Sequence, residues 1–307
     1  MTGGPCKMTC PTGIPWEIAM PYHSRVNPEH LRDRLRRALE EDIRGGDVTT
    51  AATVDSEQIG SAVVVCKATG VVCGLPVFEE TYRLVDERVD VKPLAVDGQR
   101  TSGGERIVTV SGFISSILTG ERVALNMLGW LSGVATMTCQ FVERASLFGA
   151  KITDTRKTTP LWRDLEKYAV EVGGGVNHRM GLHDMVLIKE NHVDAAGGLT
   201  EAVRRVRDRW GDRYSVEVET RSLEEVREAV ELDVDRIMLD NFTIDELVEA
   251  VALVGGRCEV EASGGVTLET VADIARTGVD VISVGALTHS SAVMDYSMLL
   301  RFDSRGE

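Results

Sequence analysis

The chain has 307 residues, with 48 Asp and Glu against 34 Lys and Arg, a formal net charge of −14 and a pI near 5.0. That balance argues against a broad basic face for nucleic acid and disfavours anionic membrane surfaces. With 43% hydrophobic and 27% charged residues, the composition is that of a soluble globular protein, in one large domain or two ordinary ones.

The first 25 residues carry neither a basic start with an apolar run nor a small-residue cleavage site, so secretion is not indicated. They are expected to form a flexible extension, and Met8 or Met20 could equally be the true start. No apolar run approaches the roughly 20 residues that a membrane helix needs. The six cysteines, Cys6, Cys10, Cys66, Cys73, Cys139 and Cys258, are scattered without a matched tight pair. They read as free thiols in a reducing cytoplasm rather than a zinc framework.

From Asn27 the sequence predicts a helix, opened by Pro28, Glu29 and His30, with Leu31, Leu35 and Leu39 on one face and a stop at Gly45-Gly46. Strands are expected at Ser61 to Thr69 and Arg106 to Gly112, with a helix near Pro76 to Leu84 between them. A long helix follows from about Ser115 to Leu147, rich in small and apolar residues.

From Lys151 the pattern becomes alternating short strands and helices. Strands are expected at Lys151 to Thr153, Met185 to Lys189, Ser215 to Glu219, Arg236 to Leu239, Glu259 to Ala262 and Val281 to Val284. Helices are expected at Leu223 to Leu232, Ile244 to Val254 and Leu268 to Thr277. This alternation predicts βαβ units, a parallel sheet and an α/β fold.

The strands end in Asp154, Lys189, Glu219, Asp240, Ser263 and Gly285, the edge of an α/β barrel where chemistry collects. Any one of these is as readily a polar strand exit as a functional group; six in succession favour a site. Ser263-Gly264-Gly265 and Gly285-Ala286 follow consecutive strands and precede helices, the pattern of backbone cradles for phosphate. The run Gly173 to Gly175 reads equally well as the cap of a helix through Leu165 to Val170. Glu219 and Asp240 are candidates to hold a divalent metal or ribose hydroxyls, with a structural salt bridge as the alternative. Between Lys151 and His192 lie Arg156, Lys157, Arg163, Lys167, His178, Arg179 and Lys189, a cationic cluster in an acidic chain. It suggests a small, highly anionic ligand.

The segments DTRKTTP (154–160), LEKYAV (165–170), GGGVNHRMGL (173–182), LIKENH (187–192), LDNF (239–242), SGGV (263–266) and SVGALTHS (283–290) resemble the quinolinate phosphoribosyltransferase family, the carboxylating nicotinate-nucleotide diphosphorylases. So do EEDIRGGDVTT (40–50), GLPVFEE (74–80) and ERVALNMLGWLSGVAT (121–136), which extends the resemblance from about residue 28 to 300. It implies an N-terminal α/β sandwich-like domain, 26–129, joined by the chain's end, 290–307, and an incomplete α/β barrel, 130–289, bearing the active site. It also implies dimers, or dimers assembled further. The implied reaction joins quinolinate to 5-phosphoribosyl 1-diphosphate with Mg2+, giving nicotinate mononucleotide, diphosphate and carbon dioxide.

By the same resemblance, Arg156, His178, Arg179 and Lys189 surround the quinolinate carboxylates, and Arg122 reaches into the partner subunit's site. Lys157 meets the diphosphate side of the donor, and Glu219 and Asp240 face the ribose and the magnesium. Ser263, Gly264, Gly265, Gly285 and Ala286 hold the 5-phosphate. His289 is a further candidate there, with helix capping as the alternative.

The chain departs from the family pattern TTPGLR at Leu161 and Trp162, and Glu171 adds a negative charge beside the glycine run. A glycine replaced by Leu161 raises the expectation of a changed turn and a reshaped ring pocket. The alternative is that Trp162 packs on a helix surface or subunit interface. Two other functions stay open: transfer to another pyridine carboxylate, or a non-catalytic ligand-binding relative on the same fold.

Overall fold

The structure is a computed structural model and describes residues 26–301. Cys6, Cys10 and the expected N-terminal extension lie outside the described residues. Two units are distinguished, one of 26–137, 164–173 and 291–301, the other of 138–163 and 174–290.

The first unit opens with α1, Pro28–Ile43, capped by Asn27, whose side chain accepts from the Glu29 and His30 amides. Leu31, Leu35 and Leu39 are its buried stripe, as their spacing predicts. A short helix follows that the sequence reading missed, α2, Val48–Thr53. Its run of β-branched residues has low helix propensity. The cap supplies what propensity does not, since Asp47 accepts from both Thr50 N and Thr50 Oγ1.

The sheet of this unit is four-stranded and antiparallel. It is built from β1 (Ile59–Cys66), β3 (Asp90–Pro93), β5 (Arg106–Phe113) and β12 (Tyr296–Arg301), in the order β12-β1-β5-β3. The chain's end thus returns to pair with β1, Cys66 opposite Tyr296 and Ser61 opposite Arg301. Two short strands, β2 (Gly70–Val71) and β4 (Arg100–Thr101), form a separate pair. Over the main sheet lie α3, Leu75–Val85, and the start of α4, Ile114–Ala145. Val64, Val108, Val110, Phe78, Tyr82, Ile117 and Leu128 make a continuous core.

The small residues of α4 have a steric cause. A Cβ on Gly129 would meet Met294 O at 2.6 Å, and one on Gly133 would meet Ala292 O at 2.2 Å. Only glycine lets the returning chain lie this close to the helix, where Met294 N donates to Gly129 O. Ser132, between them, donates to Cys73 O and accepts from Cys73 N and Tyr296 OH.

The second unit is a parallel α/β arrangement. Its strands are β6 (Lys151–Thr153), β7 (Val186–Ile188), β8 (Val216–Thr220), β9 (Arg236–Asp240), β10 (Glu259–Ser263) and β11 (Val281–Ser283). They are ordered β6-β11-β10-β9-β8-β7, all parallel, so β6 and β7 are edges and the sheet does not close. A single bridge from Thr153 to Val176 borders β6 on its free side. The intervening helices include α5 (Arg163–Val172), α6 (Glu190–Ala196), α7 (Leu199–Trp210), α8 (Leu223–Glu231), α9 (Ile244–Val254), α10 (Val271–Arg276) and α11 (Ala286–His289). Most of α5 belongs to the first unit, and Gly173-Gly174 ends it with Gly174 at φ 90°. The glycine run is therefore a helix terminus. Helix α10 starts three residues later than the sequence suggests, because Thr267 and Thr270 bond each other's amides in a preceding turn. Among the described residues, no helix is long and apolar enough to cross a membrane.

Candidate active site

Alternation along the parallel strands sorts their side chains onto two faces. Val218, Ile237, Leu239, Val260, Ala262 and Ile282 are the buried apolar set. The opposite parity carries Glu217 and Glu219 on β8, Arg236, Met238 and Asp240 on β9, and Glu259, Glu261 and Ser263 on β10. In register, Asp240 lies beside Ser263, and Glu219 beside Met238. One face of this sheet therefore bears charge along its whole length.

At the carboxyl ends, Lys189 caps α6 and its ammonium pairs with Glu219. Lys189 is 45% exposed, whereas Glu219 is 13% exposed. Asp240 accepts from Asn241 Nδ2 at 2.8 Å. Asn241, which the sequence reading left without a role, sits at φ 59° and donates its amide to Ser263 O at 2.8 Å. A Cβ on Gly264 would lie 2.2 Å from Asn241 Oδ1, so this glycine is required by the neighbouring strand end. Gly264 and Gly265 both have positive φ, and nothing lies within 4 Å of a Cβ at Gly265. Gly285 caps the single turn of α11, which begins at Ala286.

The loop after β6 packs on this second glycine site. Thr288 Oγ1 donates to Lys157 O at 2.7 Å, and a Cβ on Gly285 would meet both the Lys157 stem and His289 Nε2 at 3.2 Å. Arg156, Lys157, Thr158, Thr159, Pro160, Thr288 and His289 line a cavity of about 540 Å³. Arg163 braces the same loop, donating to Thr158 Oγ1, Arg156 O and Met180 O.

The residues that break the family pattern lie in a tight turn. Trp162 N donates to Thr159 O, with Pro160 second and Leu161 third at φ 71°. That is a type II β-turn, whose third position favours glycine because φ is positive there. Leu161 adopts the angle, is 79% exposed and is not among the residues that line the cavity.

Arg179 is half-buried, donating to Met185 O. Burial lowers its pKa, and the charge of nearby Arg156 lowers it further. Two guanidiniums held close in this way suit an anion with more than one carboxylate. His178, expected among the carboxylate ligands, turns elsewhere. Its side chain is only 6% exposed, with Nε2 3.1 Å from Glu217 Oε2 and 3.5 Å from Glu261 Oε2. Its Nδ1 accepts from Arg179 N at 2.8 Å. Burial alone would lower the imidazole pKa, but the two carboxylates raise it to about 9. Arg236 joins the cluster, with Nη1 3.0 Å from Glu261 and its other nitrogens on Glu259. Burial pushes Glu217 upward; Glu261 is also buried, but His178 and Arg236 hold it below the usual carboxylate range. The sequence reading gave Glu217 and Glu261 no role; they lie two residues before Glu219 and Ser263 on the same strands, and nothing local indicated that they are fully buried.

Two cations singled out in the sequence belong to the first unit. Lys167 is 1% exposed, on the part of α5 that belongs to the first unit. Arg122 lies on α4 in the first unit, 61% exposed and 3.6 Å from Glu121. As for a metal, Glu219 and Asp240 offer hard carboxylate oxygens at adjacent strand ends, the donor type magnesium takes alongside substrate phosphates. His178, Glu217 and Glu261 also bring donor atoms within 4.8 Å of one another, but Arg236 already supplies positive charge there.

Residues 47–132 match the model of the quinolinate phosphoribosyl transferase N-terminal domain, and 134–299 match that of its C-terminal domain. A probable nicotinate-nucleotide pyrophosphorylase [carboxylating] of Synechocystis is 42% identical, over 96% of each chain. One from Bacillus subtilis is 41% identical, over 89% of this chain and 94% of its own. The crystal structure of NadC from Streptococcus pyogenes superposes with a TM-score of 0.87 at 39% identity, covering 90% of this chain and 98% of that one. The chain belongs to the quinolinate phosphoribosyltransferase family.

Proposed function

We propose that the protein transfers phosphoribose from 5-phosphoribosyl 1-diphosphate to quinolinate with loss of carbon dioxide, yielding nicotinate mononucleotide and diphosphate for NAD biosynthesis. The observation that carries this reading is the single sheet rim that combines cations for a dicarboxylate, paired acids and two glycine loops.

In this reading Arg156, Arg179 and Lys189 bind the two carboxylates and set the pyridine nitrogen toward the anomeric carbon. Lys157 meets the diphosphate, and Ser263, Gly264, Gly265, Gly285 and Ala286 hold the 5-phosphate through backbone amides. Glu219 and Asp240 take the ribose hydroxyls and are the residues that would hold magnesium. When bound, magnesium offsets the negative charge of the departing diphosphate.

The N–C bond forms as the C–O bond to diphosphate breaks. The ring becomes a pyridinium, which stabilises the carbanion left when the adjacent carboxylate departs as carbon dioxide; that carbon then takes a proton. No strong base is needed, so orientation and fixed charge are the protein's contribution. Arg122 is proposed to complete the site from the second copy of a homodimer. A cytoplasmic location is proposed, in keeping with four described cysteines that are thiols not joined in disulfides.

The test is mass spectrometry of the products from 5-phosphoribosyl 1-diphosphate and magnesium with quinolinate, nicotinate or picolinate supplied separately. Nicotinate mononucleotide from quinolinate alone is expected. Product only from another acid, or from none, would overturn the proposal.

A further inference from the structure

Beneath the sheet rim lies a layer of charge with no place among the groups that meet the reactants. Glu217 and Glu261 are 1% and 0% exposed. The nearest polar partner of Glu217 is His178 Nε2, 3.1 Å from Oε2. Burying carboxylates is costly, and a buried ion network is weak support for stability, because well-packed apolar side chains would serve as well. A network kept under a binding rim is better explained by orientation.

The contacts trace a continuous path. Glu217 and Glu261 face His178 Nε2, while Nδ1 takes the Arg179 amide proton. In the neutral ring that contact leaves the proton on Nε2, toward the acids. The His178 amide donates to Asp154 Oδ1 at 2.9 Å, tying the same segment to the end of β6. Arg236 Nη1, 3.0 Å from Glu261 and 3.9 Å from Glu217, balances the acids from the strand between them. The backbone that presents Arg179 is therefore held by a ring which two buried acids hold in turn.

We infer that Glu217 and Glu261 are positioning residues for acceptor binding: acting through His178, they set the Arg179 backbone and thereby aim its guanidinium at the substrate carboxylate. The inference rests on the proposed quinolinate activity. It assigns His178 to orienting Arg179 from behind rather than to touching the acceptor.

The test compares Glu217→Leu, which removes the partner of Nε2, with Glu217→Gln, which keeps an acceptor there. Glu217 is chosen because Glu261 then still pairs with Arg236. The KM for quinolinate should rise about tenfold or more in the leucine variant, as small misplacements of a positioning group do. The KM for 5-phosphoribosyl 1-diphosphate and the saturated kcat should change little, and the glutamine variant should lie near wild type. Equal changes in both KM values, a loss confined to kcat, or no change would overturn the inference. Should the leucine variant fail to fold, Glu217→Ser, short and out of reach of Nε2, gives the same reading. Histidine-labelled long-range 1H–15N spectra give a readout independent of turnover. Recorded above the raised His178 pKa of about 9, where the ring is neutral, wild type should show the proton on Nε2 and the leucine variant a mixture; identical spectra would overturn the inference. Wild-type turnover of quinolinate in the same assay separates failure of this inference from failure of the activity itself.

Discussion

The two sheets of this protein treat polar groups in opposite ways. In the antiparallel sheet unit, several buried polar side chains are closed by a nearby backbone or hydroxyl partner. Tyr82 OH donates to Ile117 O, Tyr296 OH donates to Ser132, and Asp97 accepts from Gly74 N, Leu75 N and Tyr168 OH. In the parallel unit, one sheet face runs from Arg236 and Glu259 through Glu217 and Glu261 to Glu219, Asp240 and Ser263. There the buried Glu217 and Glu261 face the cationic side chains of His178 and Arg236. Local closure serves stability; charge stacked along one face serves something outside the fold.

The sharpest way to test that contrast is to remove charge at the rim. Lys189→Met or Glu219→Gln should lower kcat/KM by about 10²–10³, the usual consequence of losing one group that stabilises reacting charge. The thermal midpoint should barely move, because the Lys189 side chain is 45% exposed and the pair it forms contributes little to stability. Steady-state kinetics beside thermal melts would measure both. A large fall in midpoint with intact turnover would reverse the roles assigned to the two faces.

The opposite result is expected at Asp97. It accepts from Gly74 N, at the start of α3, and from Leu75 N, the helix's first amide, and it anchors Tyr168 of α5. Asp97→Ala strands these donors in the interior and should cost about 2–4 kcal/mol, read from urea denaturation. Turnover per folded molecule should persist. The pH dependence carries a sign as well. Burial raises the Asp97 carboxyl above its usual range, even though three donors favour the charged form. The folded state therefore keeps a proton that the unfolded chain has released. The contribution of Asp97 should decline as pH rises from the ordinary carboxylate range through its raised value. The stability gap between wild type and Asp97→Ala should narrow in that direction.

The same contrast explains what could be read from the sequence. Strong periodicity placed α1, β5, α9 and the parallel strands close to their observed ends, and β6 on its observed residues. The strand-end residues Lys189, Glu219, Asp240 and Ser263 were legible because alternation plus βαβ order puts them at one edge. Helix α2 was not, since its stability lies in the Asp47 cap rather than in its β-branched residues. The orientation of His178 was equally hidden. It depends on Glu217 and Glu261, distant in sequence, and a motif that includes a histidine does not say which way its ring turns. Lys167 was misleading for a related reason: proximity in sequence to Arg156 and Arg179 put it in one cluster, while it is buried and its stretch of α5 belongs to the other unit.

The smallest expected effect concerns Leu161, where sequence and backbone disagree. The turn from Thr159 to Trp162 requires a positive φ at its third residue, and Leu161 supplies 71°. A Cβ in the left-handed region costs about 1–2 kcal/mol relative to glycine. Glycine in turn gives back about 0.5–1 kcal/mol through the extra freedom of the unfolded chain. Leu161→Gly should therefore stabilise the protein by roughly 0.5–1 kcal/mol, visible as a higher urea midpoint at unchanged slope. Because Leu161 is 79% exposed and the cavity of Arg156 and Lys157 is lined without it, the KM for quinolinate should stay the same. A changed KM would mean that the exposed leucine reaches the acceptor, and that the departure from the family pattern tunes binding rather than merely straining a turn.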